Sequence, residues 1–225
     1  MTIGTGITVL GERTFLNCKK LETVIFAGTP TLTTIGKGAF YSCEALTAIE
    51  IPASVEIIGS GAFNGCIELA TITFAEGSKL TTIEGSAFYN CKKLTSIDLP
   101  ETLTTLGHKE INYMEEEVEQ GSVFSGCGLT SLHLPTSLEH IYGGGHVANC
   151  PLTSLTMDDT GGWQDYFSPK GSNAIVSMSN STLVIGCAAT KNLDNLQFVG
   201  AEAFWGESQP FSLTLTSNAP ASNES

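Results

Sequence analysis

The sequence predicts a repeat solenoid of about six to seven short coils wound around one continuous core. Three observations carry that prediction. Phenylalanines recur at near-constant spacing, a cysteine follows most of them at a fixed offset, and short period-two apolar runs lie between them.

Alignment on the pattern Ala-Phe-x-x-Cys-x-x-Leu puts Phe15, Phe40, Phe63, Phe88 and Phe124 on one register, continued by Val147 and Phe204. The spacings between the five phenylalanines are 25, 23, 25 and 36 residues, so the basic coil has 23 residues and the others carry insertions. Cys18, Cys43, Cys66, Cys91, Cys127 and Cys150 share the register. A phenylalanine at every turn implies a buried spine, each ring contributing roughly 1.5–3 kcal/mol. No single coil could bury its own apolar face, which is why stacking is required.

Each coil also carries a strand-like run: Leu21-x-x-Val24-x-Phe26, Leu46-x-x-Ile49-x-Ile51, Leu69-x-x-Ile72-x-Phe74, Leu94-x-x-Ile97-x-Leu99, Leu129-x-x-Leu132-x-Leu134 and Leu152-x-x-Leu155-x-Met157. Alternation points the apolar residues inward and predicts that successive runs stack as a parallel β-sheet. Pro52, Pro100 and Pro135 follow three of the runs, where a residue lacking an N–H can end a ladder at little cost. A second apolar series, Ile35, Ile58, Ile83, Leu106, Ile141 and Leu196, predicts short irregular or second-strand segments on the opposite side. Gly36, Gly59 and Gly107 follow members of that series, and a chain reversal with positive φ is the expected reason for them.

The run Leu46 to Cys66, read as Leu-x-x-Ile-x-Ile-Pro-x-Ser-Val-x-x-Ile-Gly-x-x-Ala-Phe-x-x-Cys, resembles the BspA-like, or Treponema pallidum-type, leucine-rich repeats. The likeness covers residues 7–157 almost throughout. The stretch Asn173 to Cys187 is similar to an element that interrupts arrays of this family. The resemblance implies a leucine-rich-repeat-type solenoid. The chain is accordingly divided into one solenoid over residues 1–216, with regular coils at 7–157, an interrupted segment at 158–190 and a degenerate last coil at 191–216, and a flexible tail at 217–225. The resemblance further implies an exported bacterial or protist surface protein with adhesive or interaction roles, placed outside the cell or on its surface, its signal or anchor lying beyond these residues.

Composition narrows the partners. Ten basic against 23 acidic residues give a net charge of −13, a field that repels phosphate backbones and disfavours nucleic acid. No apolar run approaches the ~20 residues that span a bilayer, so no membrane insertion is expected.

Chemistry-bearing residues are sparse in recognisable patterns. The cysteines fall on the repeat rather than in zinc-finger pairs, and read as a ladder of small apolar side chains. Cys187 stands outside that ladder and is the candidate reactive thiol. His108, His133, His140 and His146 lie on coils close enough that three could meet, which is how a metal or acid–base site could arise. No metalloprotease, nucleophile-elbow or phosphate-loop motif is present, so neither catalysis nor a cofactor is expected.

The remaining candidates are surfaces. The outward strand position reads Ile25, Glu50, Thr73, Asp98, His133 and Thr156, and all but the first form a candidate ligand-binding stripe. Glu50 and Asp98 as a glycosidase pair would need a cleft to raise one pKa, and an exposed sheet face is expected to offer none. The 36-residue spacing contains an insertion from His108 to Gln120, expected to project as a loop bearing Glu110, Glu115, Glu116, Glu117 and Glu119. Glu115, Glu116 and Glu117 are candidate contacts there. Trp163 and Tyr166 lie off the repeat in the interrupted segment and are candidate platforms for protein or sugar. The expected partner is a host or bacterial surface protein; the alternatives are a glycan, or a passive spacer for a further domain.

Overall fold

The computed structural model describes residues 1–157 and the strand segments 166–167, 174–177, 182–186, 193–194, 198–199 and 215–216. It is a stacked parallel β-solenoid of about seven turns. Each described coil has three sides, all facing one core.

The period-two runs form the first side. Ala48–Ile51 pairs in parallel with Thr71–Phe74, and Ser131–Leu134 with Ser154–Met157, both in residue-for-residue register. Their apolar members Ile49, Ile51, Leu132, Leu134, Leu155 and Met157 are buried while the intervening residues face outward. One expected strand is missing. Ser96–Leu99 makes no ladder with either neighbour, although Leu94 and Ile97 on the same coil are buried. Burial tolerates small errors in coil spacing that N–H···O geometry does not, so the sheet opens here while the core stays closed.

The second apolar series forms the most regular side. Val9–Leu10, Thr34–Ile35, Ile57–Ile58, Thr82–Ile83, Thr105–Leu106 and His140–Ile141 make one six-stranded parallel sheet. Leu196 lies outside the described residues.

The phenylalanine turns form the third. Phe15, Phe40, Phe63, Phe88 and Phe124 stack with centroid spacings of 5.2, 5.2, 5.4 and 5.6 Å. Backbone bonds join the turns coil to coil, as in Phe40 N–H to Ala62 O at 2.7 Å and Phe63 N–H to Ala87 O at 2.8 Å. This ladder requires positive φ two residues before and after each phenylalanine, a conformation supplied by Gly38 and Ser42, then Gly61 and Gly65, then Ser86 and Asn90.

The glycines of the second series act differently from expectation. Gly36 and Gly59 do not have positive φ. A Cβ on Gly59 would lie 2.8 Å from Lys37 N and 2.9 Å from Gly36 C. Close approach of neighbouring backbones, rather than a reversal, therefore excludes a side chain. Gly107 does have positive φ, at 83°.

Hydroxyls between coils complete the stack. Ser54 donates to Leu32 O, Thr102 to Leu80 O and Ser137 to Leu103 O, each at 2.7 Å. Beyond Met157, Ala174–Ser177 pairs antiparallel with Thr182–Gly186, and Ile175 and Ile185 join the same core. Thr182–Gly186 then pairs in parallel with Phe198–Val199.

Candidate functional site

Alternation in the strands sets the outward stripe. Glu50, Thr73, Asp98, His133 and Thr156 are all exposed. Register places Glu50 beside Thr73 and His133 beside Thr156, where His133 Nδ1 and Thr156 Oγ1 lie 3.0 Å apart. Asp98 sits on the segment that leaves the ladder, so the stripe is two paired islands with a carboxylate between them.

The face is less flat than expected. A groove of about 550 Å³ opens at its edge between Ile25, Phe26, Pro30, Glu50, Pro52 and Lys79. A second, of about 410 Å³, holds Thr73, Asp98 and Glu101, and Ala75 borders both. The stripe residues are thus rims of grooves rather than points on a plane. Pro30, Pro52 and Lys79 were missed by sequence reasoning, although Ile25, an apolar residue in a polar row, carried a signal.

The insertion is a β-hairpin, not a loop. His108–Ile111 pairs antiparallel with Glu117–Gln120. Asn112 shapes the tip: its Oδ1 accepts N–H bonds from Met114 at 2.8 Å and Glu116 at 3.0 Å, and Glu115 takes a positive φ of 63°. The glutamates are largely used within the hairpin. Lys109 Nζ lies 2.8 Å from Glu117 and 3.9 Å from Glu119, Gln120 donates to Glu110 at 2.9 Å, and Asn112 donates to Glu116 at 3.2 Å. The hydrogen bond to Glu117 raises the Lys109 pKa. What the hairpin offers outward is Ile111, Tyr113 and Met114, with Tyr113 91% exposed.

Both ends of the hairpin are anchored. His108 Nδ1 accepts the Gly85 N–H at 3.0 Å from the preceding coil, and Glu119 Oε2 accepts the Gly143 N–H at 2.9 Å from the following one. Lys109 Nζ also lies 5.3 Å from the Tyr142 ring centroid. Backbone atoms crowd the Cβ positions of Gly107 and Gly121, so the chain can leave and re-enter the coil only through glycine.

The cysteines have a definite task. Cys43, Cys66, Cys91, Cys127 and Cys150 donate their thiols to the carbonyls of Phe15, Phe40, Phe63, Phe88 and Phe124 on the preceding coil, at 3.0 to 3.3 Å. Burial pushes the Cys43 thiol up to about 11 and Cys66 up to about 12. A hydrogen bond with the Cys127 side chain, followed by burial, raises Cys91 too. The Cys43, Cys66 and Cys91 thiols stay protonated, and all five act as donors. Cys187 lies outside the described residues.

The histidines do not gather. His108 serves the hairpin, His133 faces Thr156, and His140 stacks on Tyr142 at 5.4 Å. His146 is 1% exposed with Nε2 at 3.1 Å from Tyr142 O, its Nδ1 lacks a partner among the described residues, and burial lowers its pKa to about 4. Among the described residues no group of three His, Cys, Asp or Glu side chains could hold a metal ion. No described helix is long and apolar enough to cross a membrane.

Tyr166 is half-buried, and its hydroxyl accepts the Ile141 N–H at 3.1 Å. It works as a brace between the interrupted segment and the six-stranded side. Trp163 lies outside the described residues.

Comparison with known proteins agrees with this architecture. A leucine-rich repeat protein from Bacteroides ovatus is 26% identical, with a TM-score of 0.53, over 78% of this chain and 39% of its own. The pneumococcal vaccine antigen PcpA is 20% identical, with a TM-score of 0.52, over 90% of this chain and 41% of its own. A leucine-rich cell surface protein from Faecalibacterium prausnitzii is 19% identical, with a TM-score of 0.50, over 86% and 47%. The chain thus spans less than half the length of each. No curated protein matches it. The profile of the BspA-type leucine-rich repeat region matches residues 1–117 and 115–209 in six copies, and the chain belongs to that family.

Proposed function

We propose that this chain is a non-catalytic interaction module, extracellular or on a bacterial cell surface, that binds protein through the hairpin tip, with the outward face of the first strand series as a second contact surface. The observation that carries the reading is the anchored hairpin. A solvent-facing tip of Ile111, Tyr113 and Met114 costs solubility unless it is covered in use, and Tyr113 is 91% exposed. Its base is tied to both adjacent coils, so the tip is held in place before binding and little ordering entropy opposes association. Aromatic side chains of this kind dominate protein interfaces. A cell surface neighbour and the family support the location.

Glu50, Thr73, Asp98, His133 and Thr156 are proposed as secondary contacts along the grooves, with Glu115, Glu116 and Glu117 fixing orientation beside the tip. The bracing role of Tyr166 weighs against a sugar platform at that position. The test is capture of surface proteins by the whole chain, by a version lacking residues 108–120, and by Tyr113→Ala. A partner held by the first and lost by both others supports the reading. A partner held equally by all three overturns the hairpin, and recovery of no protein partner overturns the protein-binding reading itself.

A further inference from the structure

The phenylalanine-turn side carries a groove of about 410 Å³ across the first coils, lined among others by Arg13, Lys37, Tyr41, Ser60, Asn64 and Ser86. We propose that it binds an acidic oligosaccharide, a chain of pyranose rings bearing carboxylates.

The groove exists because of two glycines. Gly38 and Gly61 occupy the same position of successive coils, two residues before their phenylalanines, while Arg13 and Ser86 occupy it on the coils to either side. The floor is therefore low in the middle and raised at both ends. The Arg13 stem lies over Gly38, where a Cβ would come within 3.4 Å of Cγ, and the Tyr41 ring reaches Gly61, where a Cβ would be 4.0 Å from Cδ2. Tyr41 lines the groove and keeps 39% of its surface exposed, so its ring is open to a ligand.

The polar lining is unspent. Among the described residues the Ser60, Ser86 and Tyr41 hydroxyls, the Asn64 amide and the Lys37 ammonium have no side-chain hydrogen bond or ion pair. Lys37 and Ser60 share one register position and Tyr41 and Asn64 another, one coil step apart, and that step is 5.2 Å between the rings of Phe40 and Phe63, close to the length of one pyranose residue. A saccharide laid along the groove would meet a fresh set of donors and acceptors at each ring. One aromatic face and dispersed hydroxyl partners suit sugars, whose rings are apolar on their faces and polar at their edges.

Charge selects the acidic class. The net charge of −13 opposes an anionic ligand at long range, but Arg13 and Lys37 line this groove, and Lys37 has no ion pair among the described residues. The carboxylates beside it are Glu12, which faces Arg13, and Glu84, which accepts the Ser60 N–H at 2.7 Å. Arg13 Nη1 is 3.0 Å from Glu12 Oε1, but both side chains are more than half exposed, so that pair is weak and a ligand carboxylate can replace it. A peptide fits less well. The Gly38, Gly61 and Ser86 amides already donate to Ser60, Gly85 and Gly121 on the next coil, which leaves no backbone edge for a strand to join.

The experiment is calorimetric titration of the whole chain with four probes: a hyaluronan hexasaccharide, a hexagalacturonate, neutral cellohexaose and a polyglutamate peptide. Saturable binding of either acidic sugar, weakened by salt and about tenfold by Tyr41→Ala or Lys37→Gln, is the expected result. Which acidic sugar binds tells glucuronate from galacturonate. Lys37 is exposed, so its variant keeps the test open if Tyr41→Ala misfolds, and Tyr113→Ala on the hairpin should leave the titration unchanged. Binding of cellohexaose as tight as either acid, binding of polyglutamate alone, insensitivity to both groove variants, or no sugar binding would each overturn the proposal.

Discussion

Glu119 reaches from the inserted hairpin to the next coil, where its Oε2 accepts the Gly143 N–H at 2.9 Å. That bond and its counterpart from Gly85 to His108 convert an insertion into a fixed part of the solenoid.

Glu119→Ala should therefore loosen the hairpin without unfolding the coils. A partly exposed hydrogen bond to a charged acceptor contributes about 1 kcal/mol, so faster amide exchange is expected at Gly143 and along His108–Ile111, with Glu119→Gln retaining most of the protection. Unchanged exchange in the alanine variant would mean that the bond does not hold the hairpin.

Phe63 is fully buried between Phe40 and Phe88. Truncation to alanine should cost about 3–5 kcal/mol in denaturant unfolding. Phe15, half-buried at one end of the described stack, should cost less. Equal losses at the two positions would show that the spine is not the common core.

Alkylation separates the two roles of cysteine. At mildly alkaline pH the exposed Cys18 should react in the native chain, whereas Cys43 and Cys66, held near 11 and 12 by burial, should react only on unfolding. Mass mapping of labelled peptides reads this directly. Cys66→Ala should also cost about 1 kcal/mol by removing a donor from Phe40 O, which leaves the Cys43 N–H as its partner.

His146 gives stability a pH dependence of known sign. Its pKa is lowered to about 4 in the folded chain, against about 6.5 when unfolded. Between those values the unfolded state binds the proton and the folded state does not, so stability falls as pH drops from about 6.5 toward 4, by about 3 kcal/mol at most. Above that window the residue contributes no slope. Melts at pH 7 and 5 should differ less for His146→Gln than for the wild type; an identical difference would remove His146 as the cause.

Gly59→Ala tests whether backbone proximity rather than φ reserves these positions. With ordinary φ the substitution would be harmless or slightly stabilising, but a Cβ 2.8 Å from Lys37 N must push two coils apart. A melting temperature clearly below the wild type is expected, and one at or above it would restore the local explanation.

The sequence by itself determined the coil, its apolar spine and the family, because side-chain direction within a coil follows from local periodicity. Phe63, Cys66 and Ile58 could be placed inward from spacing alone, and burial confirms each. The tertiary structure decided what depends on the distance between coils: the open ladder at Ser96–Leu99, the close backbones at Gly36 and Gly59, and the thiol bonds onto phenylalanine carbonyls. The same holds for the surfaces. Glu50 and Asp98 were legible as outward, but their grooves arise from residues of adjacent coils, and the hairpin turned most of its glutamates toward its own lysine and amides. Periodicity encodes which way a side chain faces; only packing between coils sets how near its neighbours come, and hydrogen bonds and grooves are made or lost over fractions of an ångström.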